Sequence, residues 1–513
     1  MPSKMLRAMS GNFINSKKGN IMKKIVLWML ALSALGVNAA VKLPGIFSDH
    51  AVLAKKAKVP VFGKADPGEK VVVEFNKQKR ETVAGKNGKW RVDLNLADSP
   101  EGPFELKVNN IVIKDVIVGE VWLCSGQSNM QYALSGSIGR KEECAKPIGS
   151  RFRCFNVKRN SSKVPLEEVG GKWVYATSTY SPTFPGVGYF FGKKLLAEIN
   201  RPVGLINASW GGTDITAWIS WEAISENKAA LARSKKKDAA NLPKRERVKP
   251  TRLYNAMIYP LFPYALNGTI WYQGERNARN AHEYADLTRA MVALWRKNFE
   301  FSEMPFYWCS LAAYNPKTSD PNAPSNWARL REQQTLALNV PFTGQAILTD
   351  AGESHNIHPR DKKTPGERLA AIALANVYGK KVPFAGPSAT GFTRKGNKVV
   401  ITFKDIEGGL VSVVPAEYAV DTRSKTKVPR PKFAKIVRNS PNTQVEGFAI
   451  CGKDGKYFWA DEAVIDGDTV IVSSARVAEP VGVRYAWAQN PTASLYNKAG
   501  FPAVPFQKKD IAK

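Results

Sequence analysis

Five short runs between residues 114 and 380 are apolar at nearly every position, and they constrain this chain more than any other feature. They are Val116–Leu123, Val203–Asn207, Thr269–Tyr272, Phe306–Leu311 and Gln345–Thr349. A strand with one wet face alternates apolar and polar residues, whereas a continuously apolar strand is buried on both faces. Helical periodicity falls between or after these runs. Tyr284, Leu287, Met291, Leu294 and Trp295 recur at helical spacing, and so do Leu369, Ile372, Ala373 and Val377 behind Pro365, which suits a helix start. Strands alternating with helices predict an α/β fold, a parallel sheet covered on both faces. In such sheets ligands sit beyond the carboxyl ends of the strands.

At 513 residues the chain exceeds one ordinary core. Residues 40–113 read as an N-terminal β domain, with runs Val59–Phe62, Val71–Phe75 and Trp90–Leu94 between turn signals Asp66-Pro-Gly68 and Asn87-Gly88. Residues 114–385 hold the α/β pattern. Residues 386–513 return to β character, with Lys398–Phe403, Val470–Ser474 and Val481–Tyr485. Hydrophobic residues at 44% and charged ones at 23% exclude a disordered or fibrous chain.

Residues 1–39 read as a processed segment. Met22-Lys-Lys24 is a basic start, Ile25–Val37 a short apolar run, and Val37-Asn-Ala39 a cleavage site. We expect translation to begin at Met22 and export to the periplasm or beyond, with no transmembrane span afterwards. Six lysines and arginines and no acids lie there, which leaves +25 of the formal +31. Such a charge suits an anionic polymer. However, the densest run, Arg233–Lys249, has no aromatic residue for base stacking. It reads as a solvated insertion, and no nucleic-acid partner is expected. Five cysteines without a CxxC pair argue against structural zinc. Export would permit a Cys144–Cys154 disulfide, and Cys124 and Cys309 read as buried thiols.

Chemistry-bearing residues gather at the strand ends. The first run leads into Cys124-Ser-Gly-Gln-Ser128-Asn-Met130, which puts Ser128 before a helix expected to open at Met130, where backbone N–H groups can meet an oxyanion. The motif lacks the second glycine of GxSxG. The second run leads into Asn207-Ala-Ser-Trp-Gly211-Gly212, and paired glycines allow close backbone approach. After the third come Gln273, able to donate to an oxyanion, and Glu275, able to orient a histidine. The fifth is followed by Asp350, His355 and His358. A serine esterase needs a base titrating near neutrality, and histidine is the default. His355 and His358 are spaced like a metal pair, but Pro359 favours extended backbone before it and no third ligand stands out, so no metal or other cofactor is expected.

These blocks resemble the sialate O-acetylesterase family, a branch of the SGNH/GDSL hydrolases. The resemblance rests on Gly119–Met130, Asn207–Thr213, Ile270–Glu275 and Ile357–Lys362, with Phe47–Leu53 and Val483–Trp487 outside the core. It implies a flavodoxin-like three-layer hydrolase core flanked by β domains, and a metal-free serine ester mechanism. It implies Ser128 as nucleophile, His358 as base, and an oxyanion hole of the Ser128 and Gly212 N–H groups with Gln273. Many SGNH enzymes carry aspartate three residues before the histidine, where this chain has His355. The orienting acid is therefore open between Glu275, Asp350 and none. The implied substrate is an O-acetylated glycan or sialic acid. Acetylated xylan or pectin, and a non-catalytic glycan-binding protein, are the alternatives. No oligomeric state follows.

Overall fold

A computed structural model describes residues 41–240, 243–413 and 444–511. The expected signal segment lies outside the described residues. A central sheet runs through β1 (Ile111–Gly126), β2 (Gly149–Asn156), β3 (Trp173–Ala176), β4 (Val203–Ser209), β5 (Gly268–Tyr272), β6 (Phe306–Cys309) and β7 (Thr343–Ala346). Their spatial order is β7-β6-β5-β1-β4-β2-β3. All neighbours are parallel except β3, which lies antiparallel on β2. From β1 the chain builds first towards β2 and later, from β5, on the opposite side, so the topological switch point lies at β1.

Apolar continuity has its expected cause. Along β1, Val121 and Leu123 enter one core while Trp122 and Cys124 enter another. On β6, Phe306 and Trp308 part from Tyr307 and Cys309 in the same way. Helix α4 (Tyr284–Asn298) and α5 (Asn326–Leu336) pack into the first core; α2 (Gly186–Ile199) and α6 (Lys363–Asn376) close the second. Full burial of one such side chain contributes about 1.5–3 kcal/mol. The remaining helices that matter below are α1 (Ser128–Gln131), which opens two residues before the expected Met130, and α3 (Lys228–Ala239).

β1 belongs to two sheets. Its first half pairs antiparallel with Phe104–Val108 of the N-terminal β unit, and its second half is the central strand of the α/β core. The expected 113/114 boundary therefore falls inside one unbroken strand. Beyond residue 386, two four-stranded antiparallel sheets surround a separate core containing Val399, Phe448, Val472 and Tyr485. No helix among the described residues is long and apolar enough to cross a membrane.

Two expectations are corrected. All five cysteines are free, and Cys154 is buried in the second core while Cys144 is only half-buried. Within the basic run Arg233–Lys249, Arg233, Lys237 and Lys249 are anchored by ion pairs rather than solvated. Arg233 on α3 bridges the buried Asp214 and Glu283, and Lys237 joins Asp214. Burial would raise the Asp214 carboxyl; the charges of Lys237 and Arg233 and bonds from Thr216 outweigh it and hold the group at about 2.

Candidate active site

Ser128 stands at the carboxyl end of the central strand, as the first residue of α1. Gly126, the last residue of β1, has φ +134°, and a Cβ there would lie 2.3 Å from the Tyr272 carbonyl oxygen on β5. Only glycine lets the chain turn off the sheet at this point. Beside it, the turn after β4 brings Gly211 so close that a Cβ would stand 3.1 Å from the Ser128 Cβ. The Gly211 N–H donates to Gln131 Oε1 at 2.7 Å. Among the described residues, no hydrogen bond engages the N–H of Ser128 or of Gly212.

His358 arrives on the loop between β7 and α6, and its Nε2 lies 2.8 Å from Ser128 Oγ. Burial, and then the charge of Lys362, hold the imidazole below its ordinary titration range. The other histidines lie elsewhere: His50 pairs with Asp115 in the N-terminal unit, and His282 and His355 are exposed.

Neither candidate acid touches His358. Asp350 is held by Arg368 through two bonds of 2.7 Å and by the Tyr496 hydroxyl at 3.1 Å. Glu275 accepts from Asn129 Nδ2 at 2.5 Å, and its Oε2 is inaccessible without a hydrogen-bond partner. Gln273 also departs from expectation. It is fully buried, and its amide nitrogen lies within bonding distance of Gln127 Oε1, the Thr213 carbonyl and Asn277 Oδ1. It ties the ends of three strands together and leaves no N–H for an oxyanion.

Three residues at the site escaped the sequence reading. Asn129 bonds Glu275, the Ile357 carbonyl at 3.0 Å and the Lys362 ammonium at 2.7 Å. Arg247 places its guanidinium 5.7 Å from the Trp210 ring centroid, with Nε 3.4 Å from the Gly211 carbonyl. The signal for Asn129 and Lys362 was their adjacency to Ser128 and His358; Arg247 carried none. A cavity of about 1060 Å³ lies away from this cluster, at the seam of the β unit and the core, bounded by Phe62, Trp90, Arg91, Tyr259 and Glu300.

A serine hydroxyl on an imidazole, beside unengaged backbone donors at a helix start, is equipped for acyl transfer. Residues 118–375 match the model of a carbohydrate esterase family, the sialic acid-specific acetylesterases. The sialate O-acetylesterases of Pongo abelii and Homo sapiens are each 30% identical over 403 residues, covering 71% of this chain and 75% of theirs. The crystal structure of a carbohydrate acetylesterase from Xanthomonas citri superposes with a TM-score of 0.79 at 33% identity, over 92% of this chain and all of that one. The chain therefore belongs to the sialic acid-specific acetylesterase family of carbohydrate esterases and is a carboxylic ester hydrolase.

Proposed function

We propose that this chain is an exported serine esterase, on a flavodoxin-like core, that removes O-acetyl groups from acidic sugars. The observation that carries the mechanism is the 2.8 Å contact between His358 Nε2 and Ser128 Oγ. Neutral His358 accepts the Ser128 proton as Oγ attacks the acetyl carbonyl. The N–H groups of Ser128 and Gly212 receive the oxyanion. The tetrahedral intermediate collapses, the C–O bond to the sugar breaks, and His358 returns its proton to the departing sugar oxygen. Water then repeats the sequence on the acetyl-serine, releasing acetate. Among the described residues no carboxylate bonds His358, which supports a Ser128–His358 dyad. Depression of the imidazole keeps it basic at lower pH than an ordinary histidine, which titrates near 6.5. Ser128→Ala should lower kcat/KM for an activated acetyl ester at least about a thousandfold with the fold intact. Undiminished acetate release by that variant would reject the mechanism.

Arg247 favours an acidic sugar over neutral xylan. It lies beside the oxyanion turn, and no carboxylate among the described residues pairs with it. A guanidinium so placed suits a substrate carboxylate. Arg247→Gln should lower kcat/KM for acetylated sialic acid about tenfold or more and leave acetylated xylo-oligosaccharide unchanged. Equal effects on both would return the substrate to the neutral polysaccharides. Export predicts cleavage after Ala39, readable by amino-terminal sequencing of the secreted protein.

A further inference from the structure

Lys362 is 1% exposed, four residues after His358, in a region with no need of a lysine for solubility. A buried ammonium must be matched by polar partners. Among the described residues its ammonium donates to Asn129 Oδ1 at 2.7 Å, and it lies 4.8 and 5.7 Å from the ring centroids of Tyr132 and Tyr272. Through the other end of the same amide, Asn129 reaches Glu275 at 2.5 Å and the Ile357 carbonyl at 3.0 Å. One side chain thus joins the residue after the nucleophile, the residue before the base, a carboxylate on the β5 turn and an ammonium at the start of α6. The Oε2 of Glu275 is buried without a hydrogen-bond partner, and burial raises the carboxyl while the bond from Asn129 and the charge of Lys362 lower it.

We propose that Glu275, Asn129 and Lys362 form a buried carboxylate–amide–ammonium bridge that positions Ser128 against His358. All three are positioning residues. The geometry fixes the distance between α1 and the histidine loop. Burial first, and then the Lys362 charge, lower the titration of His358. Glu275, Asp361 and Glu353 face Lys362 and favour its protonated form; burial opposes them and brings it down to about 8.

This inference rests on the esterase reading, and its test separates the two. Wild type, Lys362→Gln and Lys362→Met are compared on an activated acetyl ester across pH 5–9, and the His358 ring is titrated by NMR in each on a Ser128→Ala background. Lys362→Gln keeps a donor for Asn129 without the charge, and Lys362→Met keeps neither. In both variants the His358 titration and the acid limb of kcat/KM should move to higher pH. The plateau rate should fall about tenfold or more in Lys362→Met and less in Lys362→Gln. Should Lys362→Met fail to fold, Lys362→Met with Glu275→Gln removes both buried charges and serves in its place. Loss of rate with an unmoved His358 titration would make Lys362 merely structural and overturn the proposal, as would variants indistinguishable from wild type. A wild type that releases no acetate would overturn the esterase reading, while the NMR titration would still decide the charge effect.

Discussion

Asp350 and Arg368 are both largely buried, and each is the other's counter-ion. Replacing Asp350 with asparagine leaves Arg368 uncompensated and should cost about 3 kcal/mol or more of stability in urea unfolding, with kcat unchanged. A folded variant with collapsed kcat would return Asp350 to the chemistry. His355 and His358 separate as sharply. His355→Ala should stay within about twofold of wild type because the side chain is exposed. His358→Asn should lose about a hundredfold or more in steady-state acetate release. At this scale the sequence showed residue types at strand ends but not partners. Ser128 and His358 were legible because acyl transfer demands them. Lys362 was not, since a lysine reads as solvated until strands far apart in sequence close over it. Glu275 stood where expected but bonds Asn129, a choice set by a few ångströms of loop geometry.

Elements bring the residues into range. The strands of the core were legible because burial on both faces removes polar residues from them. Gln78–Val83 was missed because its residues are polar and mostly exposed, and its place is set by pairing with Lys70–Phe75. The turn at Gly126 admits no side chain. Gly126→Ala should destabilise the fold by about 3 kcal/mol or leave it unfolded in a thermal melt, since both φ and the Tyr272 carbonyl oppose a Cβ. An unchanged melting temperature would contradict the geometry. Helix α3 makes a pH prediction. Asp214 is depressed from an ordinary 3.8 to about 2. Its contribution to stability is present above about pH 4 and lost as pH falls towards 2, because the unfolded chain takes up the proton first. Asp214→Asn should flatten that part of the stability–pH curve, and an unchanged acid limb would show that other groups dominate it.

The whole molecule holds its site from both ends of the chain. β1 carries the N-terminal unit directly into the strand that ends at Ser128. From the other end, Arg331 on α5 donates to the carbonyls of Ala488 and Gln489, and Asp350 is bonded by Tyr496, which ties the C-terminal sheets to the core beside the histidine loop. The composition indicated several β and α/β units, but not these ties; those of Arg331 end on main-chain carbonyls, which leave no mark on side-chain pattern. In the proposed mechanism acetyl passes through Ser128 Oγ. This step is tested most directly by mixing wild type with an activated acetyl ester, quenching in acid within the first turnovers and reading the Ser128 peptide by mass spectrometry. An acetyl group on Ser128 should accumulate before steady state and be absent from Ser128→Ala. Turnover with Ser128 unmodified throughout, or acetyl on another side chain, would contradict it.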